Sequence, residues 1–145
     1  MFQIWEYRAG HQQLLIRSPK DEQHERNVDI VFAGVEYVDI PAILMGIDLA
    51  PPTTEDLRRV ERRHRPNVDP STVCVLVSGS KRHLIVAAGW KLSQNDLGPF
   101  ESSLESFQVD ETERRRLLDL IRERGDWGSV FPPQGGGSGS SAPAP

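Results

Sequence analysis

Two apolar runs, Val73-Cys74-Val75-Leu76-Val77 and Leu84-Ile85-Val86-Ala87-Ala88-Gly89-Trp90, stand on either side of Ser78-Gly79-Ser80-Lys81-Arg82-His83. Valine dominates the first run, and Leu84, Ile85 and Val86 open the second. Strands joined by a short Gly/Ser turn are the conformation that suits them. Neither run alternates polar with apolar residues, so both are expected to be covered on two faces and to lie at the centre of a sheet.

The remaining strand signals arrange themselves around this hairpin. Residues 2–8 are rich in aromatic and branched side chains, Ala9-Gly10-His11-Gln12 interrupts them, and Gln13–Arg17 resumes with Leu14, Leu15 and Ile16. This reads as a second hairpin closed before Ser18-Pro19-Lys20, with a polar loop running to Arg26. Residues 28–40 alternate: Val28, Ile30 and Phe32 fall on one face, and Asp29 and Val31 on the other. Beyond Gly34, Val35 and Tyr37 share a face opposite Glu36 and Val38. Two readings stay open there, a hairpin turning at Ala33-Gly34 or one long strand bulged at Gly34. Pro41 ends the segment, the apolar stretch Ile43–Leu49 is interrupted by Gly46, and Leu92–Gly98 reads as a loop.

Two helices are predicted. Prolines 51 and 52 precede Thr53 as a cap, with Glu55 and Asp56 in the first turn, where the helix dipole favours acids. This helix runs over about 53–65, with a thin apolar stripe of Leu57, Val60 and His64, and stops at Pro66. Phe100, Leu104 and Phe107 have helical or irregular spacing. Asp110 with Glu113 forms a capping-box pattern opening a second helix over about 110–124, with Leu117, Leu118, Leu120 and Ile121 inward and Gly125 past its end. The fold expected is α+β: a mainly antiparallel sheet of five to six strands built from hairpins, with both helices packed on it.

Composition sets the limits of this domain. From Pro132 to Pro145 the chain holds uncharged Pro, Gly, Ser, Ala and one Gln, too little apolar surface to offset ordering entropy, and is expected to be a disordered tail or tether. Residues 1–131 then form a single domain, large enough for its own core. Charged residues make up 26% and the net charge is −4, so a general polyanion binder, whether for nucleic acid or for an anionic membrane, is disfavoured. Met1 is not followed by a basic region and an apolar stretch, so no secretion signal is expected. No apolar run approaches the span of a membrane helix. Arginine outnumbers lysine 14 to 3, a bias of GC-rich coding sequence, and the expected setting is the bacterial cytoplasm.

Chemistry is sparse. One cysteine, Cys74, sits inside the Val-rich run and reads as a core thiol, which excludes a disulfide framework or a multi-cysteine metal site. No His-x3-His motif supports a metal, and neither a catalytic spacing nor a cofactor loop is present. The sequence therefore assigns no catalytic, cofactor-binding or metal residue. Ser78-Gly79-Ser80-Lys81-Arg82 has the ingredients of an anion nest with cationic side chains, but lacks Walker spacing and reads first as a hairpin turn.

Surface charge is more informative. On an exposed sheet face, Asp29, Glu36 and Asp39 form an acidic strip suited to a basic partner, with Tyr37 beside them. Arg58 and Arg62 belong to an arginine cluster, Arg58 to Arg65, that suits phosphate or an acidic protein surface. The plainer reading of that cluster is a solvated helix face, partly neutralised by Glu55, Asp56 and Glu61. The function expected is a non-catalytic protein-binding module, of inhibitor or immunity type, with another protein as partner and no cofactor. Two alternatives stand beside it: a small hydrolase or nuclease using His11 or His83 with a carboxylate, and an assembly subunit tethered by its tail.

Overall fold

Every strand pairing in the computed structural model is antiparallel, and all seven strands join one sheet in the order β4-β1-β2-β3-β7-β6-β5. The structure describes residues 1–104 and Asp119. The strands are β1 (Phe2–Arg8), β2 (Gln13–Ser18), β3 (Asn27–Asp39), β4 (Ile43–Leu44), β5 (Asp48–Ala50), β6 (Val73–Ser78) and β7 (Lys81–Asn95). Among the described residues there is one α-helix, α1 (Thr54–Arg63). The sheet-rich α+β class stands, with seven strands instead of five to six. Apart from Asp119, the predicted helix over 110–124 lies outside the described residues, as does the whole tail over 132–145.

Strands β4 and β5 occupy opposite edges of the sheet, yet Leu44 and Asp48 are joined by just Met45-Gly46-Ile47. Laid flat, six inter-strand gaps would separate those edges by about 29 Å. Four residue steps reach at most about 14 Å. The sheet must therefore curl until its edges approach one another, and Gly46 with φ +78° turns the chain across the gap. Ser78 Oγ donates to Met45 O at 3.3 Å, tying the end of β6 to this crossing. The short apolar stretch with Gly46, ambiguous in the sequence, is thus the link that sets the curvature.

Curling gives the sheet an inside and an outside. Leu14, Ile16, Val28, Ile30, Phe32, Leu76 and Ile85 fill the concave core together with Phe2, Leu44 and Ile47. Cys74 belongs to it too, as the sequence indicates. On the convex side, α1 covers one patch: Val60 is fully buried against Val73, Val75, Leu84 and Val86, with Leu57 and Tyr37 at its border. A second convex patch, Leu15 and Val31, is covered by Leu104 and Trp5. The two apolar runs that dominate the sequence are double-faced for this reason. They do not both sit at the centre, however. β3 and β7 are the long middle strands, and β6 is next to the edge because β5 adds outside it. β7 also continues to Asn95, through most of the expected 92–98 loop, since its pairing with β3 extends to Asn27.

Residues 28–40 form one continuous strand, not a hairpin. Phe32 and Val35, three apart, both face the core, as do Trp90 and Ala87 on β7. Gly34, at φ +64°, resets the alternation opposite Ala88. A bulge at Glu36 follows, where Val35 pairs with Ala87 and Tyr37 with Val86. Hence Val35 and Val38 point inward, while Glu36 and Tyr37 both turn toward α1. The face assignment expected beyond Gly34 is corrected by this bulge. A Cβ on Gly34 would stand 2.6 Å from the Ala88 Cβ in a left-handed conformation. Gly34→Ala is expected to destabilise the fold by about 1–3 kcal/mol, read as a lower urea midpoint at unchanged m-value.

Candidate functional site

Helix α1 is amphipathic, so burying Val60 and Leu57 turns its arginines outward or sideways. Its N-terminus is fixed by a capping box: Thr53 Oγ1 accepts from Asp56 N, and Asp56 Oδ2 accepts from Thr53 N at 2.9 Å. The same carboxylate receives Arg82 of β7, through Nε at 3.0 Å and Nη2 at 2.7 Å. Burial pushes the Asp56 carboxyl up. The hydrogen bond from Arg82, the bonds from Thr53 and the guanidinium charge outweigh that and bring its pKa to about 2. At the other end, Glu36 on the bulge holds His64 Nε2 at 3.1 Å and Arg65 Nε at 3.0 Å. The Tyr37 and His64 rings stack at 5.6 Å.

Between these two anchors α1 and the start of β7 enclose a shallow depression of about 360 Å³, lined by Asp39, Arg59, Arg63, Lys81, Arg82 and His83. Arg59 Nη2 donates to Arg82 O at 2.7 Å and stands 3.5 Å from Asp39 Oδ2. Arg63 Nη1 approaches the same oxygen at 3.4 Å. Arg59 Nε is buried and has no acceptor. Lys81 is exposed and forms no ion pair with a described residue. Burial pushes the His83 imidazole below the usual histidine range; Asp39 opposes this, and Arg59 and Lys81 reinforce it. Asp39 offsets one arginine and Asp56 offsets Arg82, leaving two uncompensated positive charges around the depression.

The sequence-predicted site residues separate into two groups. Asp29 is fully buried and belongs to no exposed strip. It faces Arg17 directly across β2 and β3, and accepts from Arg17 Nε at 2.7 Å, Arg17 Nη2 at 2.8 Å, Asn95 at 2.7 Å and Ser103 at 2.6 Å. Arg17 also donates to Glu101 O at 3.1 Å and lies 4.9 Å over the Trp5 ring. This pair straps residues 98–104 over the convex face; that covering segment is what excludes Asp29 from the surface. Asp39 does come together with Arg59 and Arg63 of α1, and Glu36 with His64 and Arg65 just past its end, so the acids expected to form a free strip are already engaged. Tyr37 lies against the helix. Arg58 and Arg62 stand exposed on its outer face, Arg62 reaching Glu55 at 3.0 Å.

His11 and His83 lie far apart, and of the two His83 has the carboxylate of Asp39 beside it. His11 is in the turn between β1 and β2, level with Val35, because Val35 N donates to Gln12 O. Leu84, next to His83, pairs with Asp39. Four residues along β3 are about 13 Å, and crossing from β2 to β7 adds about 10 Å. His24 is bound in its own loop to Asp21 at 2.7 Å. Among the described residues no three His, Cys, Asp or Glu side chains gather to hold a metal ion, and no helix is long and apolar enough to cross a membrane. Lys81 and Arg82 are the residues that sequence reasoning placed in a plain turn. Their local signal was the cationic Ser-Gly-Ser-Lys-Arg sequence, and what it lacked was Asp56, 26 residues away. The chain matches no protein-family model, no curated protein sequence and no solved structure.

Two stability measurements test this account. Asp29→Ala leaves the Arg17 guanidinium buried without its carboxylate and is expected to cost about 3–5 kcal/mol in urea unfolding, more than the paired replacement Arg17→Met with Asp29→Leu. For Asp56, a folded pKa below the ordinary 3.8 means that its contribution is present above pH 4 and lost as pH falls toward 2. That contribution is about 2 kcal/mol at neutral pH. Asp56→Asn should therefore be less stable than the wild type at pH 7, with the gap closing between pH 4 and pH 2.

Proposed function

We propose that this chain is a non-catalytic protein-binding module that docks an acidic partner on the arginine face of α1 and the adjoining turn between β6 and β7. One observation carries the reading. On and beside α1, Arg58, Arg59, Arg62, Arg63, Arg65, Lys81 and Arg82 outnumber the four acids that pair with them, Glu36, Asp39, Glu55 and Asp56, in a chain whose net charge is −4. Such a concentration, against the sign of the whole molecule, orients an approaching acidic surface toward one face. The polarity is the reverse of an acidic strip meeting a basic partner, since Asp29 is buried and Glu36 and Asp39 serve the arginines. Arg58 and Lys81 make no ion pair with described residues, so their charge is available to a partner at no cost in internal contacts.

The lysines provide a direct test. The chain has three, Lys20, Lys81 and Lys91, and Lys81 alone belongs to this face. Cross-linking with a lysine-reactive reagent in extract from the source cells should join partners predominantly through Lys81. The combined change Arg58→Glu, Arg62→Glu should reduce those cross-links at least tenfold while leaving the circular dichroism spectrum unchanged. Cross-links confined to Lys20 or Lys91, or insensitive to the charge reversal, would refute the docking face.

A further inference from the structure

Resting on that docking face, we propose that the depression between α1 and the start of β7 receives a phosphate monoester carried by the partner protein, held by Arg59, Arg63 and Lys81. The charge count favours phosphate over a carboxylate. Arg59, Arg63, Lys81 and Arg82 carry four positive charges, and Asp39 and Asp56 cancel two of them. A phosphate monoester carries about −1.5 to −2 at neutral pH and matches the remainder, whereas a carboxylate leaves half of it uncompensated.

The hydrogen-bond inventory agrees. Arg59 and Arg63 share a single oxygen of Asp39 at 3.5 and 3.4 Å. Charge-assisted bonds of this kind normally close to about 2.7–2.9 Å. Both guanidinium groups are thus under-engaged by their resident acid. The exposed Lys81 ammonium, in no ion pair with a described residue, adds three donors. Three phosphate oxygens offer more acceptors than the two of a carboxylate. The volume of about 360 Å³ equals roughly a dozen waters, so a phosphate and its ester carbon fit with solvent to spare. Arg82 is held by Asp56 and Pro51 O, so it need not be rearranged for the anion to enter.

The experiment is an amide NMR titration of the full chain at constant ionic strength. Four probes are compared: N-acetyl-phosphoserine N-methylamide, its aspartate counterpart, inorganic phosphate and a short oligothymidylate. The expected result is saturable shifts at Arg59, Arg63, Lys81 and His83 with the phosphoserine probe, at least tenfold tighter than with aspartate. Arg63→Glu with Lys81→Glu should abolish them without disturbing amides of β1 and β2. Equal binding of the aspartate probe overturns the phosphate assignment but leaves acidic docking intact. Tighter binding of inorganic phosphate, or of the oligonucleotide, overturns the partner-borne phosphate in favour of a free ion or a nucleic acid. Phosphate binding with no cross-links at Lys81 removes the protein-docking reading instead. Release of inorganic phosphate from the probe, lost in His83→Ala, would replace binding with hydrolysis.

Discussion

A sheet whose first and last strands in spatial order are neighbours in sequence has little freedom of shape. Met45-Gly46-Ile47 must cross from one edge to the other, and the seven strands bend to permit it. That bend separates a concave core from a convex exterior and leaves the exterior to be covered by something else. α1 and residues 98–104 are the two covers. Each is pinned by ionic contacts as well as by apolar packing. Arg82 with Asp56 and Glu36 with Arg65 fix the helix; Arg17 with Asp29 fixes the strap. The arginine face exists because a helix that shields the convex side must show its other side to solvent.

The two pins differ in energetic character. Arg17 and Asp29 are both fully buried, and the pair is weak evidence for net stability even though losing one member is costly. Its geometry, with Asn95 and Ser103 completing the carboxylate, selects one position for the covering segment. The Asp56 carboxylate serves two masters at once: it satisfies backbone at the start of α1 and receives a guanidinium from β7. Helix orientation and the position of the turn beside it are therefore set by a single side chain.

Much of this was readable from residue order. Short-range signals succeeded where a structure is built from neighbours: the hairpins of residues 2–17 and 73–90, the Thr53 cap, and the alternation that puts Asp29 opposite Val28 and Ile30. They failed where the deciding contact is remote. Asp29 looks like a solvent-facing acid until residues 98–104 cover it, and its ion pair with Arg17 depends on strand register. Glu36 and Tyr37 share a side because a bulge places them there, which alternation alone cannot show. The depression draws residues from β3, α1 and β7, so its members are too far apart in sequence for spacing to reveal.

The very short edges have a consequence for the molecule in a crowded solution. β4 is two residues long, β5 is three, and Pro51-Pro52 follow β5 directly, so that edge cannot lengthen through further amide donors. At that edge a neighbouring chain seeking to add a strand meets three strand residues and then two prolines. A protein so rich in β-structure would otherwise be a template for its own precipitation. The crossing that forces the sheet to curl also keeps the two strands it joins brief, and with Pro51-Pro52 it leaves little room for strand addition beside β5.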